Sequence, residues 1–337
     1  MFHSFDCESA DDAWLKISRA FNSSQISWTN IEGRNGSTRE LLHATISISD
    51  PLQRWIQNRP KAVNIALALA EIIWIMNGRN DSAFLKPFFP RITDFSGDTE
   101  YFGGAYGARL KNHFSMGDQL KRAYEVLNAT PNNRQVVLSL WDPDMDFPHS
   151  DGTPRSADVP CNICSMLKVR NGKLEWLQIM RSNDVFRGLP NNIVQFTTLQ
   201  EIVAGWLGLP LGSYNHVSDS LHVYQDSFDE VRELEDRPAV ILNTDRLKLP
   251  LPESEKTFHR LAQIVEEMAF GDMSISDMKE YKLEANLPSA YQNILHVLCA
   301  ELLRRRGELQ LSLGRMIHCT NPVFKKMWHR WMLREHS

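Results

Sequence analysis

The chain has 337 residues, a formal net charge of -4, and a composition 42% apolar and 23% charged. That length holds one large domain or two smaller ones with a sizeable core. The acidic balance argues against binding a nucleic-acid polymer but permits a small anionic ligand held by a few local arginines.

In chain order, residues 11–21 have the pattern of an amphipathic helix, and GRNGS (33–37) reads as a loop between two short strands. The longest apolar stretch, residues 62–76, is interrupted by Asn64 and Glu71. It falls short of the roughly 18–20 residues needed to cross a bilayer. It predicts a buried helix over about 61–77, stopped at Gly78. FGGAYG (102–107) is a glycine-rich turn, followed by a helix over about 116–128.

The middle is strand-rich. QVVLSLW (135–141), residues 163–169 and residues 174–180 are apolar or alternating runs of strand length. Asn171-Gly172, between the last two, is a hairpin turn signal. Gly188-Leu189-Pro190 opens a long helix over about 191–207, with proline suited to the first turn. Residues 211–217 read as a strand and 221–234 as a helix. From about 253 the pattern is helical, over 254–270, 287–306 and 321–334, punctuated by Pro250, Pro252 and a loop at 271–277. This predicts an α+β core domain over residues 1–250 and a helical C-terminal region, 251–337, packed on it.

The five cysteines, Cys7, Cys161, Cys164, Cys299 and Cys319, are odd in number and irregularly spaced, and MFHSFDCESADDAW contains no apolar signal segment. The expectation is a cytoplasmic setting with reduced thiols. Cys161 follows Pro160 at the mouth of a predicted strand. A thiol becomes a nucleophile as its thiolate, which a nearby cation favours; a lone cysteine is otherwise commonly a packing residue. Cys161 and Cys164 also form a CxxC without a second pair. Residues three apart on a strand point to opposite faces, which argues against a shared zinc.

Downstream, RSNDVFRGLPNNI (181–193) places a cation, a hydroxyl, a carboxylate and an amide in one strand–turn–helix passage. SDSLHVY (218–224) then places His222 and Tyr224 two apart. Upstream lie EIIWIMNG (71–78) and GAYG (104–107). Together with Pro160-Cys161, these elements resemble, in order and spacing, the thymidylate synthase family, which includes the phage pyrimidine hydroxymethylases. The resemblance runs from about residue 12 to 225.

It implies a mixed β-sheet flanked by helices, here with an extra helical C-terminal region, and a homodimer packed sheet against sheet. It also implies transfer of a one-carbon unit from 5,10-methylenetetrahydrofolate to C5 of a pyrimidine nucleoside monophosphate. In that family the cysteine thiolate adds to C6, and the enolate-like C5 attacks the folate methylene. Loss of the C5 proton and release of the folate leave an exocyclic methylene. Hydride from the folate then yields a methyl group, and water a hydroxymethyl group.

By position, Cys161 matches the nucleophile. Arg181, Arg34, Arg134 and Ser182 match the phosphate shell, with Arg134 reaching across the dimer. Bidentate guanidiniums suit a phosphate dianion, and their field favours a thiolate at Cys161. Glu71 matches the carboxylate that works with ordered water in proton transfer at the base and the folate. Its burial in an apolar helix itself hints at a task. Tyr106 matches the tyrosine of the family's VYG turn and joins the catalytic set. Asp184 matches the carboxylate that binds the pterin ring. Asn192 matches the asparagine that reads pyrimidine O4 and N3, a pairing that fits uracil. His222 and Tyr224 match the pair that bonds the sugar 3′-hydroxyl.

Several positions depart from an ordinary thymidylate synthase. Asn162 stands for the usual His, Met166 for a Gln, Gln135 for the second twin arginine, and Ile92 for a tryptophan beside the folate. The ending WHRWMLREHS lacks the family's short apolar tail. SLHVY (220–224) is closer to the phage hydroxymethylases. The main reading is thymidylate synthase, dUMP to dTMP. The alternatives are a hydroxymethylase acting on dUMP, dCMP or CMP, and an inactive nucleotide-binding homologue. Arg304, Arg305 and Arg306, with Lys325 and Lys326, read as a solvated helix face, or as a site for a polyglutamate tail or nucleic acid.

Overall fold

The structure, a computed structural model, describes residues 2–23, 31–33, 36–95, 97, 100–232, 239–271, 273–280 and 286–333. In chain order these form β1 (His3–Cys7), α1 (Ala10–Asn22), β2 (Ile31–Gly33), β3 (Gly36–Ile48), α2 (Ile65–Met76) and α3 (Tyr106–Ala108). A π-helical turn, Arg109–His113, continues α3. Then come α4 (Gln119–Ala129), β4 (Val137–Ser139), α5 (Pro143–Asp146), β5 (Asn162–Arg170), β6 (Lys173–Asp184), α6 (Leu189–Trp206) and β7 (Leu211–Tyr224). The chain closes with α7 (Leu251–Phe270), α8 (Ile275–Glu280), α9 (Ser289–Arg305), α10 (Leu309–Ile317) and α11 (Pro322–Leu333).

These elements fall into two compact units, each built from three stretches of chain: 1–63, 120–141 and 161–243 in the first; 64–119, 142–160 and 244–337 in the second. The stretch after 250 therefore clusters with α2 and its surroundings.

The first unit carries a seven-stranded mixed sheet, ordered β1-β3-β7-β6-β5-β4 with β2 added to β3. β1–β3 and β6–β7 are parallel; β2–β3, β3–β7, β5–β6 and β4–β5 are antiparallel. The β5–β6 hairpin forms where expected. Asn171 (φ 49°) and Gly172 (φ 70°) both take the left-handed conformation that a type I′ turn requires. α6 lies on one sheet face: Phe196 packs on Trp176 with ring centroids 6.4 Å apart, and Gln200 Nε2 donates to the Leu174 carbonyl at 2.9 Å.

The second unit is helical around α2. Eleven of the twelve residues of α2 are buried, the exception being Glu71. Such a helix is apolar all round because neighbours cover every face. Asn64 caps its start, accepting from the Leu67 N–H at 3.1 Å, and Asn77 Nδ2 ties its end to the Phe258 carbonyl of α7 at 2.9 Å. Glu71 itself is half-buried, not enclosed as the apolar sequence around it predicts.

Three further expectations are corrected. The helix expected over 221–234 is instead the end of β7 followed by a 3-10 turn, Gln225–Glu230, because residues 217–224 pair along β3 and β6. The loop expected at 271–277 already begins α8. Arg304 and Arg305 are half-buried and paired, not a solvated face, while Arg306 is exposed. Arg304 and Arg305 bind buried Glu301 at 2.9 and 2.8 Å, and Arg306 donates to the Met268 carbonyl at 2.6 Å.

Candidate active site

Within the first unit, seven of the expected residues lie at one end of β5, β6 and β7. Cys161 stands immediately before β5 and is half-buried. Its carbonyl accepts from the Arg181 backbone N–H at 2.9 Å, which ties the segment to β6. The Arg181 guanidinium carbon lies 5.5 Å from the centre of the Trp141 ring, a cation–π support that orients the group. Ser182 follows on β6, half-buried and opposite Ser220 of β7.

Asp184 ends β6 and is paired in register with His222 of β7. Its Oδ1 accepts from the backbone N–H groups of Phe186 and Arg187 at 2.7 and 3.0 Å, which shapes the turn into α6. The carboxylate keeps further acceptor capacity on Oδ2, 4.0 Å from Arg187 Nε. Burial pushes the Asp184 carboxyl up and pulls the His222 imidazole down. His222 and Tyr224, two apart on a strand, point the same way, with rings edge to face at 5.2 Å. The Arg187 guanidinium lies 5.4 Å from the Tyr224 ring and bonds Asp226 at 2.5 Å.

Asn192 sits in the first turns of α6, buried, donating from Nδ2 to Gln195 Oε1 at 3.2 Å. A Cβ at Gly188 would lie 3.1 Å from Asn183 Oδ1 and 3.3 Å from the Asp184 carbonyl. A side chain at Gly188 would therefore crowd the turn from β6 into α6.

The remaining expected residues lie elsewhere. Glu71 and Tyr106 belong to the second unit, on neighbouring elements α2 and α3. There a Cβ at Gly107 would stand 2.7 Å from Ile75 Cα, so Tyr106 is carried against α2 by a glycine contact. In the same unit the Asp158 carboxylate accepts from the Gly104 N–H at 2.8 Å, and Gly104 leaves no room for a side chain against Pro160, the residue before Cys161. Arg134 is exposed in the turn before β4. Arg34 lies outside the described residues.

Cys161 and Cys164 are separated by a bulge in β5, and burial raises the Cys164 thiol. Among the described residues, no group of three or more His, Cys, Asp or Glu side chains is placed to hold a metal ion. Among them, too, no helix is long and apolar enough to cross a membrane.

Sequence reasoning missed a polar layer between the sheet and α6. Ser165 and Trp176 donate to Gln178 Oε1 at 2.5 and 3.3 Å, and Gln178 Nε2 donates to Asn162 Oδ1 at 2.6 Å. Asn162, Ser165, Gln178, His216 and Ser218 are fully buried. The available signal was polar residues at alternate strand positions, which resembles a solvated face until the partner helix is known.

A family model described as thymidylate synthase matches residues 44–287. The chain belongs to the thymidylate synthase family. The match continues past residue 225, where the motif resemblance ends, and past residue 250.

Among curated proteins, the chain is 32% identical over 255 residues to a deoxyuridylate hydroxymethyltransferase of Bacillus phage SP01, covering 69% of this chain and 66% of that one. It is 33% identical over 191 residues to the deoxyuridylate hydroxymethyltransferase of Pseudomonas phage M6, covering 56% of this chain and 53% of the relative. It is 31% identical over 210 residues to that of Delftia phage PhiW-14, covering 60% and 58%. The chain thus spans between about half and two thirds of the length of these relatives.

Proposed function

We propose that this protein is a deoxyuridylate 5-hydroxymethylase, transferring one carbon from 5,10-methylenetetrahydrofolate to C5 of dUMP with water as the final nucleophile. The observation that carries the reading is the placement of Cys161 beside Arg181 at the strand ends, with Asn192 at the head of α6. The named activity of the phage relatives supports hydroxymethylation over the methylation that the sequence reading put first. So does isoleucine at position 92, where the resemblance places a tryptophan that in thymidylate synthases favours hydride over water.

In this reading the Cys161 thiolate adds to C6, placing negative charge on C5 and O4. Arg181 and Ser182 hold the phosphate, with Arg34 and Arg134 in the same role. His222 and Tyr224 bond the sugar hydroxyl, and Asn192 reads the base. Asp184 binds the pterin through its remaining oxygen. Glu71, with Tyr106, relays protons at the base. The folate supplies the electrophilic methylene. C5 gains that carbon and loses its proton, the tetrahydrofolate nitrogen leaves with the bonding electrons, and water adds to the exocyclic methylene as Cys161 departs from C6.

A homodimer belongs to the same proposal. The sheet face opposite α6 presents half-exposed Met166, Leu177 and Ile179 on neighbouring strands, with Val217 of β7 beside them. A second copy would cover it, with Arg134 completing the partner's phosphate site.

The test is incubation with methylenetetrahydrofolate and a panel of dUMP, dCMP, UMP and CMP, read by product mass. A gain of CH2O on dUMP is expected, with tetrahydrofolate as co-product. A gain of CH2 with dihydrofolate would return the protein to the methylating branch. Absence of C5 proton release from any nucleotide would leave a binding protein.

A further inference from the structure

The turn from β6 into α6 carries a cation that the reaction above does not use. Arg187 stands three residues after Asp184, and its Nε lies 4.0 Å from Asp184 Oδ2. Its Nη2 donates to Asp226 Oδ2 at 2.5 Å and to Ser227 Oγ at 3.3 Å, and its guanidinium carbon is 5.4 Å from the centre of the Tyr224 ring. One side chain thus reaches the last residue of β6, the last residue of β7 and the 3-10 turn that follows.

The backbone under Arg187 is held from two sides. Asp184 Oδ1 takes the N–H groups of Phe186 and Arg187. Arg59 Nη1 donates to the Phe186 carbonyl at 2.9 Å, with its guanidinium 4.3 Å from the Phe186 ring.

The two carboxylates beside Arg187 differ in their surroundings. The Asp226 side chain is 60% exposed and that of Asp184 only 13%. Water screens the first charge far more than the second. Burial pushes the Asp184 carboxyl up, opposed by the N–H groups of Arg187 and Phe186 and by the charges of His222 and Arg187. His222 is a poor counter-charge, because burial pulls its imidazole down. The charges acting on it are Asp184, Glu40 of β3 and Arg181 of β6. An arginine, by contrast, stays charged across the whole working range of pH. Arg187 is therefore the lasting positive charge against Asp184. Asp226, which Lys61 also influences, competes for it.

We propose that Arg187 is a positioning residue for the folate, holding Oδ2 of Asp184 as an anionic acceptor for a ring N–H of the pterin. The inference rests on the reading of Asp184 as the pterin carboxylate and adds a residue to it. An ionised carboxylate only accepts hydrogen bonds. A protonated one turns an oxygen into a donor, which meets a pterin N–H with the wrong polarity.

The experiment has two readouts on the full chain, in wild type, Arg187→Met, Arg187→Lys and Asp226→Asn. Carbon NMR follows the Asp184 carboxyl across pH without ligand, assigned against Asp184→Asn. Tetrahydrofolate is then titrated into each protein with dUMP saturating, at about pH 6 and about pH 8.5. Arg187→Met is expected to move the carboxyl's titration to higher pH. It should weaken tetrahydrofolate binding about fivefold at the lower pH, with little change at the higher. Arg187→Lys keeps the charge and should stay within about twofold of wild type. Asp226→Asn removes the competitor and should move the titration to lower pH. If Arg187 only braced the turn, Arg187→Met would lose binding equally at both pH values and leave the carboxyl's titration unmoved. That result would overturn the inference, as would an unmoved titration in Asp226→Asn, and either would leave the folate reading intact. A wild type that binds no tetrahydrofolate beside dUMP would overturn the folate reading, and this inference with it.

Discussion

The backbone N–H of Arg181 donates to the carbonyl of Cys161 at 2.9 Å, so the proposed nucleophile and its neighbouring cation are cross-strand neighbours joined through the main chain. Their separation is set by the β5–β6 ladder and does not depend on either side chain. Substituting one side chain should therefore leave the other in place.

Cys161→Ser should abolish tritium release from C5-labelled dUMP while dUMP still binds within a few-fold of wild type. A serine hydroxyl at neutral pH is not ionised, whereas phosphate and base contacts survive the change. Measurable proton release by the serine variant would remove Cys161 from the nucleophile's role.

Arg181→Lys should raise KM for the nucleotide about tenfold with a smaller change in kcat. Lysine keeps the charge but loses the planar fork and its support on Trp141 at 5.5 Å. Steady-state kinetics separate the two parameters, and an unchanged KM would place the phosphate elsewhere.

Arg54→Met should destabilise the protein by about 3–5 kcal/mol, since it strands a buried carboxylate. Arg54 donates to Glu201 Oε2 and to Thr198 Oγ1, each at 2.6 Å, and both charged side chains are almost wholly enclosed. The double variant Arg54→Met with Glu201→Leu should recover most of that loss, as denaturant midpoints would read.

Stability should fall as pH drops from about 6.5 toward 4.5. His216 is held neutral to about pH 3 and His296 to about pH 4, both by burial. The unfolded chain takes up these protons below its ordinary imidazole pKa, and the folded chain does not. Each such histidine therefore removes up to about 1.4 kcal/mol per pH unit across that window. His216→Gln should remove about one proton's worth of slope from stability plotted against pH, whatever it does to stability at neutral pH. An unaltered slope would mean that His216 is already protonated in the fold.

Gly107→Ala should destabilise the protein by roughly 1–3 kcal/mol, because the added methyl meets α2 backbone that cannot rotate away. The nearest atom is Ile75 Cα at 2.7 Å. Thermal unfolding would measure the loss, and a variant as stable as wild type would show that α3 lifts off α2 at no cost.

Much of the fold was legible where a local rule acts alone. The Asn171-Gly172 hairpin forms because those two residues tolerate positive φ, and α6 begins at Leu189-Pro190 because proline suits a first turn. The end of β7 was misread because residues 218–224 are mixed polar and apolar. Their strand conformation comes from pairing with β3, about 180 residues earlier in the chain, and with β6.

By itself the sequence determined which chemical groups are present and in what order: a cysteine after proline, the RSNDVFRGLP passage, an asparagine in the next helix, and His222 two before Tyr224. Short-range spacing suffices for that, because strand and helix periods are local. Only the tertiary structure decided that Asp184 stands in register with His222 and that Glu71 is half-buried. It alone placed Asn183 against His216. Those facts depend on which distant strand or helix covers a given face, and hydrogen-bond partners across a sheet are set by register, which no local pattern encodes.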